Sequence, residues 1–231
     1  MLGGIVDLLL PSRCAACRGP APDAGLCRSC EQSLVEAPPG CAVCGLGLGL
    51  AAEVLAVKPR RCPRCREKPP PFARARAAYM HGGALADALH RFKYAPAPQL
   101  ARPLGVLLAP AADGALADVV APIPLHPRRL RERGFDQAYL LAKAVARRLG
   151  LPLEGRLARR VRATRPQVGL DRLAREANVR GAFWAGPAAR GLRVLLVDDV
   201  FTTGATAAAC AAALKEAGAR RVEVLTLCLA P

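Results

Sequence analysis

The sequence predicts an α/β fold in which a parallel sheet is flanked by helices and is preceded by a small cysteine-rich module. The C-terminal part alternates between an apolar strand pattern at Arg193–Val197, a helical pattern over 203–217 and a second strand pattern over 222–229. A strand, a crossover helix and a returning strand place two parallel strands in one sheet. Eight of the ten cysteines lie in the first 65 of 231 residues. We therefore expect a module over 1–70 and an α/β domain over 71–231.

The remaining elements follow from the spacing of apolar residues and from helix-ending signals. Residues 75–80 form a strand pattern, and apolar residues repeat at helical spacing over 83–94. The run 119–124 predicts a short strand that leads into a loop. A second helical pattern over 141–149 ends at Gly150. These segments supply further strands and covering helices for the predicted sheet.

The eight N-terminal cysteines form four pairs of identical C-x-x-C spacing. Two intervening residues let a tight turn direct both sulfur atoms toward one point, and two such turns supply the four thiolates of a tetrahedral zinc site. Four pairs predict two zinc ions. Because every ligand is a protein thiolate, neither ion keeps an open position for catalysis, and we expect both to be structural. The predicted ligands are Cys14, Cys17, Cys27, Cys30, Cys41, Cys44, Cys62 and Cys65.

Two alternatives for these cysteines stay open. Disulfides or thioredoxin-like redox pairs also use C-x-x-C spacing, although a cytoplasmic setting favours zinc. The four pairs can share the ions consecutively or in a crossed order. Residues 1–70 hold few large apolar side chains, so we expect metal to supply folding energy of about 10–16 kcal/mol per site. Pro69–Pro71 then forms a stiff linker, and Cys210 and Cys228 are interpreted as small buried hydrophobic residues.

The segment 194–206 combines a buried strand, an acidic pair and a turn rich in threonine. Asp198 and Asp199 place two carboxylates where the strand emerges, and their oxygens suit ribose hydroxyls, directly or through Mg²⁺. Hydroxyl groups and the free N–H groups of a helix N-terminus bind phosphate. The sequence therefore predicts a site for ribose 5-phosphate, whereas a P-loop ATPase is excluded because G-x-x-x-x-G-K-[ST] does not occur. The predicted phosphate loop comprises Thr202, Thr203, Gly204, Ala205 and Thr206.

Residues 194–206 resemble the phosphoribosyl-pyrophosphate (PRPP) motif of type I phosphoribosyltransferases. Nearly the whole chain resembles the ComF family of competence-associated proteins, through the four cysteine pairs, Leu89-His-Arg-Phe-Lys-Tyr, the stretches Pro122–Gln137 and Gln167–Phe183, and the PRPP motif. The resemblance implies a double zinc-ribbon module on a type I phosphoribosyltransferase-like domain that acts in uptake of single-stranded DNA during natural transformation. Asp136 stands where the family pattern leads us to expect asparagine.

The charge of the chain is concentrated in its middle. The net charge is +16, and residues 120–190 contribute 16 Lys and Arg against 5 Asp and Glu, or +11. Such a field favours polyanionic partners. By resemblance, Pro124–Gly134 is a pyrophosphate loop and 162–180 is a mobile loop that closes over substrate. Guanidinium groups stabilise the charge on leaving pyrophosphate, and closure excludes water that would hydrolyse PRPP.

The resemblance also assigns individual residues to these two loops. The pyrophosphate is expected to meet Lys93, Arg128, Arg129 and Arg133. The mobile loop is expected to use Arg165, Gln167, Arg172 and Arg175.

Three functions are compatible with the sequence. The first, which we favour, is a phosphoribosyltransferase or PRPP-dependent switch that serves DNA import, with PRPP, Mg²⁺, single-stranded DNA and DNA-uptake proteins as partners. The second is a nucleic-acid-binding module with a non-catalytic PRPP site, and the third is a nucleotide-salvage enzyme. No apolar run reaches the roughly 18 residues of a membrane span, and the N-terminus lacks the basic region of a signal peptide. We expect a cytoplasmic protein.

Overall fold

The computed structural model describes residues 12–21, 25–47, 61–95, 97–165, 169 and 171–230. Its helices are α1 (Arg28–Gln32), α2 (Pro63–Glu67), α3 (Gly83–Tyr94), α4 (Ala101–Leu108), α5 (Pro127–Arg133), α6 (Gln137–Leu149), α7 (Arg172–Val179) and α8 (Ala205–Glu216). Its strands are β1 (Arg74–Met80), β2 (Val119–Pro122), β3 (Ala158–Arg160), β4 (Phe183–Ala185), β5 (Arg193–Phe201) and β6 (Arg221–Leu229). None of the described helices is both long and apolar enough to cross a membrane.

Four parallel strands form the main sheet in the order β1-β6-β5-β2, which confirms the predicted fold class. The central strands β5 and β6 are buried along most of their length because both of their faces are covered. β3 and β4 form a separate antiparallel pair. The predicted helices over 83–94 and 141–149 are present as α3 and α6, and α6 ends at Gly150 in the left-handed conformation, with φ of 63°.

Strand β5 is longer than the sequence suggests. The apolar pattern places the strand end at Val197, yet Asp198 pairs with Thr226 and Phe201 pairs with Leu229 of β6. Pairing to the long neighbouring strand overrides the low strand propensity of the two aspartates. The acidic pair therefore lies within the last four residues of strand β5, which fixes its backbone before any ligand binds.

Two apolar cores lie on opposite faces of the sheet. Val194 and Leu196 belong to the core beneath α8 and the β3–β4 pair, whereas Leu195 and Val197 belong to the core formed with α3, α4 and α6. The alternation follows from the two-residue period of a strand. Cys210 and Cys228 are fully buried, one in each core, as the sequence predicts.

The N-terminal region packs into both cores and covers one edge of the sheet. Cys14 lies in the core of α3, and Cys41 lies in the core of α8. Along strand β1, the Ala37 amide donates to the Ala78 carbonyl at 3.0 Å, and the Met80 amide donates to the Val35 carbonyl at 2.7 Å. These bonds occupy the free edge of β1, which would otherwise expose unpaired backbone groups.

Candidate functional site

The eight N-terminal cysteines form two groups of four. Within each group the sulfur atoms all lie within 4.8 Å of one another. The first group is Cys14, Cys17, Cys27 and Cys30, and the second is Cys41, Cys44, Cys62 and Cys65. The consecutive pairing is therefore the one that the fold adopts, and all eight cysteines are free thiols rather than disulfides.

The geometry of both groups fits a zinc ion bound by four thiolates. The Cys17 and Cys27 sulfurs are 3.7 Å apart, and the Cys44 and Cys62 sulfurs are 3.8 Å apart. Zn–S bonds of about 2.3 Å place neighbouring sulfurs about 3.8 Å apart in a tetrahedron. Backbone amides also point at the sulfurs: the Cys62 amide donates to Cys41 Sγ at 3.2 Å. Such donors stabilise thiolates and hold the ligands in position.

The acidic pair meets a lysine from helix α3. Lys93 Nζ lies 3.0 Å from Asp199 Oδ2, and the two side chains are 21% and 12% exposed. Burial lowers the pKa of Lys93, but the charge of Asp199, its hydrogen bond to Lys93 and the charge of Asp198 together outweigh burial and leave the pKa above its ordinary value. That Lys93 meets the pyrophosphate stays a prediction; in this structure its ammonium group pairs with the carboxylate of Asp199. A cation from outside strand β5 thus balances one of the two charges.

The surroundings of Asp198 favour the protonated form of its carboxyl group. Burial and then the charge of Asp199 raise the pKa of Asp198 to about 8, against the opposing effect of Lys93. An added cation in front of the pair lowers such a pKa and releases the proton. The pair is therefore arranged to ionise fully when a divalent ion or another positive group arrives.

The predicted phosphate loop lies at the carboxyl end of β5 and opens helix α8. Gly204 precedes the first residue of α8 with φ of 77°, a left-handed conformation that favours glycine. A Cβ atom there would lie 2.5 Å from Cζ of Phe201, so the ring packs directly against the turn. The Thr203 hydroxyl accepts from the Ala205 amide at 3.3 Å. The five predicted residues thus form one compact turn around the start of α8, directly after the acidic pair.

The predicted pyrophosphate loop is largely helical. Pro127–Arg133 forms α5, which starts with proline in its first turn and with His126 Nδ1 accepting from the Arg128 amide at 3.2 Å. Arg128 and Arg129 both bind Glu132, at 3.0 and 3.1 Å. Arg128 is exposed and Arg129 is partly exposed, and both pair with Glu132 on the helix surface. Proline at the first helical position is a helix-start signal that the sequence carries.

Arg133 belongs to a network that joins α3 to α6. Its guanidinium lies 5.5 Å from the ring centroid of Tyr94 and donates to Gln137 Oε1 at 3.0 Å. The buried Gln137 donates in turn to the Phe92 carbonyl at 3.3 Å, and the Phe92 and Phe135 rings are 5.5 Å apart. The Phe-Lys-Tyr piece and the 133–137 piece thus lock together and hold Lys93 toward Asp199.

Asp136 caps helix α6. Its Oδ1 accepts from the Tyr139 amide at 3.0 Å. Asparagine and aspartate cap helices about equally well, so the departure from the family pattern preserves the local structure. Burial, with a smaller contribution from the charge of Asp199, raises the pKa of Asp136.

The predicted mobile segment 162–180 contains helix α7. Its two ends are joined where Asn178 donates to the Arg165 carbonyl at 3.0 Å and accepts from the Arg165 amide at 3.2 Å. Arg172 lies 3.7 Å from Glu176, and Nε of Arg175 is buried without a hydrogen-bond partner among the described residues. Gln167 lies outside the described residues.

Two arginines reach the site without having been predicted from the sequence. Arg160 on β3 is near Asp198, whose charge opposes the lowering of the Arg160 pKa by burial, and its Nε has no hydrogen-bond partner among the described residues. Arg64, in the last cysteine pair, donates to the Thr203 carbonyl at 3.1 Å. No local motif indicates either contact: the C-x-x-C spacing around Arg64 points only to its cysteines, and the alternation of strand β3 indicates only that Arg160 and Arg159 face opposite ways.

Comparison with known proteins agrees with both parts of the chain. Residues 136–231 match the phosphoribosyl transferase domain family, and residues 5–66 match the double zinc ribbon domain family. DNA utilization protein YhgH of Salmonella typhi is 33% identical over 96% of this chain and 98% of its own length. Competence protein F of Haemophilus influenzae is 30% identical over 92% of this chain and 94% of its own length. The chain belongs to the ComF family.

A more distant ComF-family relative, competence protein ComFC of Bacillus subtilis, is 29% identical over 85% of this chain and 80% of its own length. The double zinc ribbon match and the sulfur geometry together establish two structural zinc-binding clusters in this ComF-family chain. Phe72 and Cys65 lie in the same apolar core as strand β5, so the second ribbon is continuous with the packing of the domain that carries the acidic pair.

Proposed function

We propose that this ComF-family protein binds PRPP with Mg²⁺ and acts in the handling of single-stranded DNA during DNA uptake. The observation that carries the proposal is the succession of Asp198, Asp199 and the 202–206 turn at the carboxyl end of a central parallel strand. Ligands of open α/β sheets bind at that end. The match of residues 136–231 to the phosphoribosyl transferase domain family supports the same ligand.

Each part of the site has a role in this proposal. Asp198 and Asp199 hold the ribose hydroxyls, directly or through Mg²⁺, and the 202–206 turn holds the 5′-phosphate with its hydroxyl and N–H groups. The diphosphate is bound by Arg128, Arg129 and Arg133. This requires Arg128 and Arg129 to exchange Glu132 for the ligand. The predicted mobile segment 162–180 closes over the ligand with Arg165, Gln167, Arg172 and Arg175.

Lys93 has a changed role in the proposal. Its ion pair with Asp199 at 3.0 Å neutralises that carboxylate beside the protonated Asp198. Asp198 and Asp199 would hold Mg²⁺, which would neutralise their charge, and the ammonium group of Lys93 would then be free to bind the negative pyrophosphate. If an acceptor is present, a nucleophile forms a bond to C1 of the ribose, the bond from C1 to the pyrophosphate oxygen breaks, and pyrophosphate leaves with the electron pair.

The role in DNA uptake rests on the relatives. Full-length relatives are named competence protein F and DNA utilization protein. The +11 charge of residues 120–190 suits a polyanion such as DNA. We propose PRPP, single-stranded DNA and proteins of DNA uptake as partners, a cytoplasmic location, and the boundary between 1–70 and 71–231 as the division between zinc-ribbon and PRPP-binding regions.

Calorimetry with PRPP and Mg²⁺ tests the proposal. The native protein is expected to bind, and the variant Asp198→Asn/Asp199→Asn is expected to lose binding while keeping two zinc ions. The exposed Asp87 on helix α3 supplies the matched control, because Asp87→Asn removes a similar charge away from the site. Absence of binding by the native protein, or equal binding by the double variant, would refute the proposed ligand.

A second candidate function is binding of single-stranded nucleic acid without phosphoribosyl transfer. Trp184, the single tryptophan of the chain, is 50% exposed on β4, and the Arg159 guanidinium lies 6.0 Å from its ring centroid. An exposed aromatic ring beside a guanidinium suits stacking with an unpaired base. Together they form a small platform on the outer face of the β3–β4 pair.

The platform is testable with a labelled oligothymidine and fluorescence anisotropy. Binding to native protein is expected to weaken steeply with salt, and Trp184→Ala is expected to cost about tenfold in affinity, as for loss of one stacked base. Val106→Ala, at another exposed apolar residue, is the control. Equal affinity of native protein and Trp184→Ala for the oligonucleotide would show that the platform does not bind it, and it would leave the PRPP proposal unaffected.

A further inference from the structure

An arginine within the second cysteine cluster donates a hydrogen bond to the predicted phosphate loop. Arg64 lies between two ligands of that cluster, Cys62 and Cys65, on the short helix α2. Its Nη1 donates to the Thr203 carbonyl at 3.1 Å, and its Nη2 lies 3.8 Å from Glu176 Oε1 on helix α7. One guanidinium therefore touches both the phosphate loop and the predicted mobile segment.

The chain neighbour of Arg64 and the residues beside the phosphate loop share one apolar core. Cys65 is 1% exposed and lies in the core shared with strand β5. Beside the ribbon, the rings of Phe72 and Phe201 meet edge to face at 6.2 Å, and Phe201 in turn packs against the turn at Gly204. The cysteine cluster, Arg64 and the phosphate loop thus form one continuous set of contacts.

We propose that Arg64 is a positioning residue that couples the second zinc ribbon to the PRPP site. Arg64 donates a hydrogen bond to the Thr203 carbonyl, and this bond sets the orientation of the adjoining peptide groups in the phosphate loop. The pair with Glu176 holds helix α7 next to the same loop. The inference rests on the proposed PRPP function, and it deepens that function by making the integrity of the second cluster a condition for tight ligand binding.

The first cluster has a different relation to the domain. Here the arginine belongs to the α/β domain and not to the cluster: Arg91 of helix α3 donates to the Ala15 carbonyl at 2.8 Å. Cys14 of the first cluster lies in the core on the α3 face of the sheet, whereas helix α8, which begins within the 202–206 turn, packs in the core on the opposite face. A change at the second cluster is therefore expected to reach the phosphate loop directly, whereas a change at the first reaches it only through α3.

Three variants isolate the contact made by Arg64. Arg64→Ala removes both of its contacts. Arg66→Ala removes the same charge from the same helix at an exposed position and serves as the control. Glu176→Gln removes the carboxylate partner of both Arg64 and Arg172 while leaving the zinc ribbon untouched, so it is read together with Arg64→Ala and keeps the inference testable even if Arg64→Ala disturbs metal binding. Zinc content is measured for all three and is expected to remain at two ions.

Hydrogen exchange of the full-length protein, without ligand, gives the first readout. Amides of 201–206 and 172–179 are expected to exchange faster in Arg64→Ala than in the native protein, and those of 172–179 faster in Glu176→Gln. Arg66→Ala is expected to match the native protein. Native exchange in both Arg64→Ala and Glu176→Gln would overturn the coupling. This readout decides the inference even if the native protein does not bind PRPP.

Calorimetry with PRPP and Mg²⁺ gives the second readout. Arg64→Ala is expected to weaken binding about tenfold, because a hydrogen bond from a charged donor is lost. Arg66→Ala is expected to stay within about twofold of native, the effect of a screened surface charge. Equal affinities of Arg64→Ala and Arg66→Ala, with the native protein binding normally, would overturn the positioning role while leaving the proposed ligand intact.

Discussion

The two cysteine clusters share a ligand set and a geometry, yet they are built into the protein differently. The first packs on the α3 face of the sheet and is held by Arg91. The second packs on the α8 face and sends Arg64 to the phosphate loop. Modules of identical C-x-x-C spacing thus support helix α3 in one case and contact the predicted phosphate loop in the other.

The largest effect is expected from loss of one ligand in either cluster. Cys14→Ser and Cys65→Ser each replace a ligand that is 1% exposed, and each is expected to reduce zinc from two ions to one. The apparent binding energy of a structural zinc, about 10–16 kcal/mol, equals or exceeds the total stability of an ordinary domain. Metal analysis and thermal melting are therefore expected to show extensive destabilisation in both variants.

The same pair of variants separates the clusters. Local hydrogen exchange is expected to rise in α3 for Cys14→Ser and in 201–206 for Cys65→Ser. Cys210→Ala, at a buried cysteine outside both clusters, is expected to keep both ions. Two bound zinc ions and native melting in either serine variant would contradict the assigned ligands.

A smaller effect is expected at Lys93, through which the α3 face reaches the acidic pair. Lys93→Met leaves Asp199 without its cation beside Asp198, and removal of one partner from a buried pair costs about 3 kcal/mol. Urea unfolding measures the loss. Lys93→Met/Asp199→Asn is expected to recover most of it, and Lys143→Met, on the exposed face of α6, to show none. A double variant no more stable than Lys93→Met would exclude the ion pair as the cause.

A substitution at Gly204 probes the packing on the α8 face of the sheet. Gly204→Ala is expected to destabilise the protein by about 2 kcal/mol, since alanine is strained at a φ of 77° and its Cβ would press on Phe201. Gly134→Ala meets the same strain at a φ of 79° with no atom within 4 Å of the added Cβ. The difference between the two variants in urea unfolding measures the Phe201 contact alone. Equal losses would show that the ring moves aside freely.

The smallest effect is a pH dependence at Asp198. Because burial and Asp199 raise its pKa in the folded protein to about 8, the folded state holds a proton that the unfolded state releases, and stability falls as the pH rises from 5 to 8. Asp198→Asn removes this penalty. Without Mg²⁺ it is expected to melt about 2–4 °C above native at pH 8, with a smaller difference at pH 5. A difference that does not grow with pH would contradict the raised pKa.

Features with a local signature could be predicted from the sequence. The C-x-x-C spacing indicated eight ligands and two ions, and the order of acidic pair and threonine-rich turn indicated where a phosphate site would lie. The consecutive pairing of the cysteines needed the structure, because short spacing does not determine which pairs meet. Helix α5 was described as a loop although Pro127 carried a start signal.

Features that depend on distant contacts could not be predicted. Arg64 and Thr203 are 139 positions apart, and Lys93 meets Asp199 only because α3 packs on the far side of β6 and β5 from α8. The continuation of β5 through Asp198 likewise depends on pairing with β6 rather than on its own residues. Folding brought these groups together, so no window of sequence contained the signal.

Titration of the native protein with Mg²⁺ and PRPP, beside separate titrations with ribose 5-phosphate and pyrophosphate, is the decisive test of the proposed phosphoribosyl site. PRPP is expected to bind more tightly than either fragment, since the acidic pair, the 202–206 turn and the arginines each hold a different part of it. Absence of binding by PRPP, or pyrophosphate binding as tightly as PRPP, would show that the acidic pair and the phosphate loop do not form a phosphoribosyl site.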